Sequence, residues 1–288
     1  MSFPNYVDVE FSARCNLRCG FCFGPTDDHH VVDLPISFWL ETINQIAKRG
    51  ATGIVVSGGE PTIYPHLIEL LLQAKRQGLS VVISTHGRHR ERVLRCASLV
   101  DWIALPVDGY SPSSLRILRG DTWGIENAEE LAAMVKEANP HVKLKLGTVA
   151  TKLNLVEIEK LGVHIARHGT LFDTWKVYQY TPRRKFRDRR AEFEVSTGEF
   201  DHLGRLLGST GVLNKVHTVL SGHELRRHAY LFVYPDGTVT IPNVGSGFDD
   251  LVLGNLLRDG WGVLDQTETH RLFNNYANYV TTYDEHRK

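Results

Sequence analysis

Between residues 6 and 178 the chain repeats one unit, a strand-length apolar run followed by a segment whose apolar residues recur at helical spacing. Tyr6 to Phe11 alternates at period two and reads as the first strand. A helix opening near Pro35 places Ile36, Trp39, Leu40, Ile43, Ile46 and Ala47 on one face and stops at Gly50. Further strands are expected at 54–57, 79–84, 101–106, 142–146 and 173–178. Helices are expected from Pro65 to Gly78, over about 89–98, from an Asn127 cap to Ala138, and over 155–167, with a polar loop running to Thr122. Alternation of this kind implies parallel strands joined by right-handed crossovers. Six strands are too few to close the usual eight-stranded barrel, so the expected class is α/β, a partial (β/α)6 TIM barrel with its chemistry at the C-terminal ends of the strands.

The rhythm changes after residue 180. A charged run from Arg183 to Arg190 separates the barrel, residues 1–180, from a small α+β C-terminal domain, residues 181–288. Within the second part, Leu231 to Ile241 reads as a hairpin with Pro235, Asp236 and Gly237 at its turn, followed by Leu253, Gly254 and Asn255. A length of 288 residues with 42% apolar composition can bury a barrel-sized core. Thirty-three basic residues balance thirty-three acidic ones, so no global field points to nucleic acid or an anionic membrane, and neither partner is expected. No apolar run approaches the ~20 residues that span a bilayer, and a cytoplasmic protein is expected.

The chain has four cysteines, and three of them, Cys15, Cys19 and Cys22, fall within eight residues just after the first strand. A disulfide framework would spread an even set through a small secreted fold, so these read as metal ligands. Three thiolates suit an iron–sulfur cluster with one iron left open, and equally zinc, with His29 or His30 as a fourth ligand. A second motif, Ser57-Gly58-Gly59-Glu60-Pro61, ends the second strand, where paired glycines let backbone approach a ligand and Glu60 offers an anion to a cation. The remaining Cys96 reads as a small buried apolar side chain.

The C-x3-C-x2-C spacing and the GGE motif, in this order, resemble the radical S-adenosylmethionine (radical SAM) enzymes. The resemblance implies a [4Fe–4S] cluster on Cys15, Cys19 and Cys22, S-adenosylmethionine chelating its open iron, and Gly58, Gly59 and Glu60 receiving the ammonium group. An electron donor such as flavodoxin or ferredoxin is implied as partner. Phe21 occupies the position where the family prefers an aromatic residue beside the adenine, and a side chain packed under the loop would account for it equally. Ser84, Thr85 and His86 resemble the family's Thr-Asn-Gly ribose segment, with His86 in place of Asn. Asp108-Gly109 and Arg119-Gly120 resemble its Asp-Gly and Arg-Gly pair, for which a turn and a salt bridge are the alternative. Thr148, Lys152 and Asn154 follow the fifth strand, where family members contact the cosubstrate.

The C-terminal hairpin resembles the extension of radical SAM maturases without the cysteines that would frame a second cluster, since none occurs after Cys96. That extension is common in peptide-modifying members. The first strand begins within six residues of Met1, leaving no room ahead of it for a leader-binding domain, which favours a small molecule. The stretch from Trp175 to Tyr180 resembles viperin-type members, which act on nucleoside triphosphates, and Arg183, Arg184 and Lys185 at the barrel mouth are candidates to hold a phosphate or carboxylate. A small, anionic or phosphorylated substrate is therefore expected, with a peptide substrate and a non-catalytic zinc module as alternatives.

Overall fold

A computed structural model describes residues 3–24, 33–182, 189–226, 230–242 and 250–265. His29, His30, Arg183, Arg184 and Lys185 lie outside the described residues. Seven parallel strands run in sequence order: β1 (Tyr6–Glu10), β2 (Gly53–Ser57), β3 (Ser80–Ser84), β4 (Trp102–Pro106), β5 (Lys143–Ala150), β6 (Thr174–Gln179) and β7 (His217–Ser221). Helices α1 (Ile36–Lys48), α2 (Leu67–Arg76), α3 (Arg90–Cys96), α4 (Pro112–Arg119), α5 (Ile125–Ala138), α6 (Leu155–His168), the single turn α7 (Arg190–Phe193) and α8 (Thr197–Thr210) carry the crossovers. The α/β class and the partial barrel are as expected: the sheet order begins at β10 and ends at β7 without closing on itself.

The strand series outruns the expected six. β7 pairs in parallel with β6, from Thr174 opposite His217 to Tyr178 opposite Ser221. A Cβ on Gly162 would lie 2.7 Å from Leu207 Cδ2, so a glycine at this point lets α6 and α8 pack closely. At the other edge β8 (Phe232–Val233) joins β1 in parallel, and β9 (Thr238–Pro242) and β10 (Asp250–Asn255) continue as an antiparallel meander. The division expected at residue 180 therefore falls inside one ten-stranded sheet. The C-terminal segment also docks on α1: Arg49 makes a two-pronged hydrogen bond to Asp265, 2.7 Å on each arm, and Phe38 stacks on Trp261.

Two local expectations are corrected. The stretch from 112 to 119 is a helix, opened by a Ser111 cap with Pro112 in its first turn and ended by Gly120 at φ +78°. Asn127 is not the cap of α5. Gly124 holds that place, and Asn127 sits three residues on, its Oδ1 accepting from the Gly124 N–H. Among the described residues no helix is long and apolar enough to cross a membrane.

Candidate active site

Loops leaving the C-terminal ends of the strands meet over a cavity of about 330 Å3. Cys15, Cys19 and Cys22 all line it, and all three are half-buried. The loop that carries them is held at several points. The Gly59 N–H donates to Ser12 O at 2.9 Å and the Glu60 N–H to Arg14 O at 2.7 Å. The Gly20 N–H donates to Leu118 O on α4 at 3.2 Å. Burial pushes the Cys15 thiol up and the Cys19 thiol up to about 11. Loading the loop would therefore release protons. Three thiols on one loop facing one cavity suit an iron–sulfur cluster; among the described residues no three His, Cys, Asp or Glu side chains converge to hold a single ion.

The glycines of the second motif line the cavity and also meet a close backbone approach from within the chain. A Cβ on Gly59 would stand 2.0 Å from Arg14 O, and one on Gly58, at φ +114°, 2.7 Å from Ser12 O. What approaches this backbone so closely is the chain's own cysteine loop. The Glu60 carboxylate, 2% exposed, is likewise engaged within the protein. Its Oε1 accepts from the Thr62 N–H at 3.0 Å and from the Thr62 and Thr85 hydroxyls at 2.5 Å each. Its Oε2 accepts from the His86 N–H at 2.8 Å. Glu60 still lines the cavity, together with Gly58, Gly59, Ser84, Thr85 and His86.

His86 departs from the family's asparagine and does something specific here. Its Nδ1 accepts from the Arg88 N–H at 3.1 Å, which assigns the proton to Nε2, and Nε2 stands 2.8 Å from Asn16 Oδ1. Burial lowers its pKa to about 4, against the pull of Glu60, so the ring is neutral at pH 7.

The other expected residues divide. Asp108 lines the cavity, with Oδ2 bonded to Arg119 Nη1 at 2.6 Å and Oδ1 to the Val149 N–H at 2.7 Å. Phe21 lines it too and packs with Leu118, Tyr180 and Phe193. Thr148 and Asn154 are not brought to the cavity wall. Thr148 lies within β5, fully buried, donating to Val107 O at 2.6 Å and accepting from Trp175 Nε1 at 2.9 Å. Asn154 Nδ2 ties Asp108 O to Val149 O, and its Oδ1 takes the Thr151 N–H and hydroxyl. Both are engaged within the protein, in part by the backbone that follows β4. Cys96 is 1% exposed, and burial raises its thiol to about 11, as a packed apolar residue requires.

Sequence reasoning missed a cationic cluster inside the barrel. Lys145 Nζ lies 3.3 Å from the Tyr178 hydroxyl, Lys176 Nζ 5.2 Å from that ring's centroid, and the Arg226 guanidinium 6.0 Å from it. Lys145, Tyr178 and Arg226 line the cavity. Burial pushes the Lys176 ammonium well below its ordinary value, and Lys145 and Arg226 add repulsion. Asp8 and Glu10 of β1 line the same cavity. The available signal was lysine inside strands whose neighbours are all apolar, at 145 and 176.

A sequence model of the Radical SAM superfamily matches residues 9–161. The S-adenosylmethionine-dependent nucleotide dehydratase of Flammeovirga pacifica is 29% identical over 244 residues, covering 80% of each chain. The PqqA peptide cyclase of Ruegeria pomeroyi is 29% identical over 162 residues, 54% of this chain and 42% of that one. Among solved structures, Streptococcus suis SuiB bound to precursor peptide SuiA superposes with a TM-score of 0.72 at 16% identity, covering 94% of this chain and 66% of that one, a likeness of fold. The family match spans β1 to α6, the stretch that carries the cysteine loop and the GGE turn, and on it the chain belongs to the radical SAM superfamily.

Proposed function

We propose that the chain holds a [4Fe–4S] cluster on Cys15, Cys19 and Cys22 and abstracts hydrogen from a small phosphorylated substrate of the nucleotide class. The observation that carries the substrate half is the convergence of Lys145, Lys176 and Arg226 around Tyr178. Lys145 and Arg226 repel the buried Lys176 ammonium, and a polyanionic ligand in the cavity would offset that repulsion. The dehydratase relatives supply the class, since nucleotides carry such phosphates.

Bound on the three thiolates, the reduced cluster would supply the electron that splits S-adenosylmethionine into methionine and a 5′-deoxyadenosyl radical. The protein's own residues bind, orient and exclude water. Ser84, exposed at the end of β3, and Phe21 under the loop line the cavity and would meet the cosubstrate's adenosyl part. Asp108 holds Arg119 charged against the desolvation its burial imposes, which keeps a cation beside Cys19. The walls of Val55, Leu105 and Phe232 keep the reacting region apolar. A cytoplasmic setting and a flavodoxin or ferredoxin donor fit a cluster that must be reduced to work.

The test is 5′-deoxyadenosine formation by anaerobically reconstituted, reduced protein given S-adenosylmethionine and, in parallel, nucleoside triphosphates and candidate peptides. Acceleration by a triphosphate supports the reading. Acceleration by peptides alone replaces it with the peptide-modifying one, which the PqqA cyclase relative favours. Retention of zinc without iron removes the radical chemistry altogether.

A further inference from the structure

We propose that His86 is a positioning residue for the cysteine loop, acting through Asn16, and that Glu60 acts as the anchor that holds His86 in place. The inference rests on the cluster reading above and concerns only residues of this chain.

The loop is clamped on its upstream side by Gly59 and Glu60, whose N–H groups take Ser12 O and Arg14 O, and on its downstream side at Gly20 by Leu118 O. Between those clamps lies the apex, Cys15 to Cys19. Among the described residues, Arg18 bonds within the apex itself, to Cys15 O at 2.7 Å and Leu17 O at 2.9 Å. The tie from the apex to a strand end is the His86 Nε2 to Asn16 Oδ1 hydrogen bond, 2.8 Å long. Asn16 is the immediate neighbour of Cys15, so fixing it fixes the first thiol of the set.

His86 is prepared for this use on both sides of its ring. The Arg88 N–H occupies Nδ1 and so leaves Nε2 as the donor. Its backbone N–H is held by Glu60 Oε2, while Thr62 and Thr85 saturate Oε1. An asparagine at 86 is too short to set an N–H where Nε2 stands, whereas a glutamine can reach it. This chain's histidine therefore links the GGE carboxylate to the cysteine loop, and Ser84, not residue 86, is left open to the ribose. A fixed apex holds the ligand set in place before cosubstrate arrives, so less of the binding energy is lost to ordering.

Two measurements test this on the full chain. The first is amide hydrogen exchange over residues 15–19 of the iron-free protein, for wild type, His86→Ala, Asn16→Ala and the double variant. Each single change is expected to speed exchange about tenfold, with the double variant no faster than either. Unchanged exchange in the singles, or a double effect equal to the product of the two, overturns the proposal. The second is the electron paramagnetic resonance signature of the reconstituted, reduced protein with and without S-adenosylmethionine. His86→Ala is expected to alter the cosubstrate-induced change and His86→Gln to restore it; a signature the same in all three overturns the proposal. Wild type that retains no iron defeats the cluster reading instead, and leaves the exchange result to decide the role of His86.

Discussion

The shoulder of the cavity under the cysteine loop and the floor of the barrel beneath it are built on opposite principles. On the shoulder, buried polar groups are paired with specific partners: Glu60 with Thr62, Thr85 and His86, and His86 with Asn16. On the floor, Lys145, Lys176 and Arg226 share one tyrosine ring, with Asp8 and Glu10 on the same cavity. A matched network is stable as it stands and pre-organises whatever is bound on it. A group of like charges around one ring repels itself, and on the proposed reading a ligand of opposite charge would offset that repulsion. On the proposed function, the difference separates the region that would hold a resident cofactor from the region that would receive the substrate.

The sharpest break of that comparison is at the thiols. Cys22→Ala is expected to abolish iron retention and 5′-deoxyadenosine formation, while Cys96→Ala, at a buried helix position, leaves both unchanged; iron analysis and product assay read the two together. Next comes the floor. Lys145→Met is expected to weaken nucleotide binding at least tenfold, read by calorimetry, while the melting temperature of the free protein holds or rises, because the repulsion Lys145 exerts on the buried Lys176 ammonium has been removed. A fall in stability with binding unchanged would make the cluster structural.

The smallest effect is on the shoulder and is read by pH. Burial, with Arg88 and His89 adding repulsion and Glu60 opposing, lowers the folded His86 to about 4 from an ordinary 6.5. Between those values the unfolded chain binds more protons, so this contribution rises with pH through the window and is lost as pH falls from 6.5 towards 4. The loss is on the order of 3 kcal/mol, and urea unfolding of His86→Gln should lack it.

Much of the frame was legible because periodicity reports burial directly. Trp39, Ile43 and Ile46 recur on one helical face, and all three are fully buried. Helix α4 was missed because its eight residues carry only Leu115, Ile117 and Leu118 as apolar side chains, although Ser111, Pro112 and Gly120 supplied both of its ends. β7 was missed because His217 to Ser221 is half-exposed at a sheet edge, so its apolar pattern is weak. At the site, the cysteines announced themselves by spacing. In sequence, Thr148 and Asn154 look the same whether a polar side chain near a strand end faces a cavity or, as both do here, bonds neighbouring backbone carbonyls.

By itself, the sequence determined the strand–helix rhythm, the parallel sheet that follows from it and the three thiols at the end of the first strand. Each of those depends on neighbours within a few residues, where sidedness and spacing are set by local backbone geometry. Only the tertiary structure decided that the GGE glycines face the chain's own loop, that Glu60 is spent on Thr62, Thr85 and His86, and that residues 145, 176 and 226 surround one ring. Those outcomes depend on which strand ends meet across the barrel. Groups separated by dozens of residues acquire their partners, and their electrostatic character, only when the sheet brings them within a few ångströms of one another.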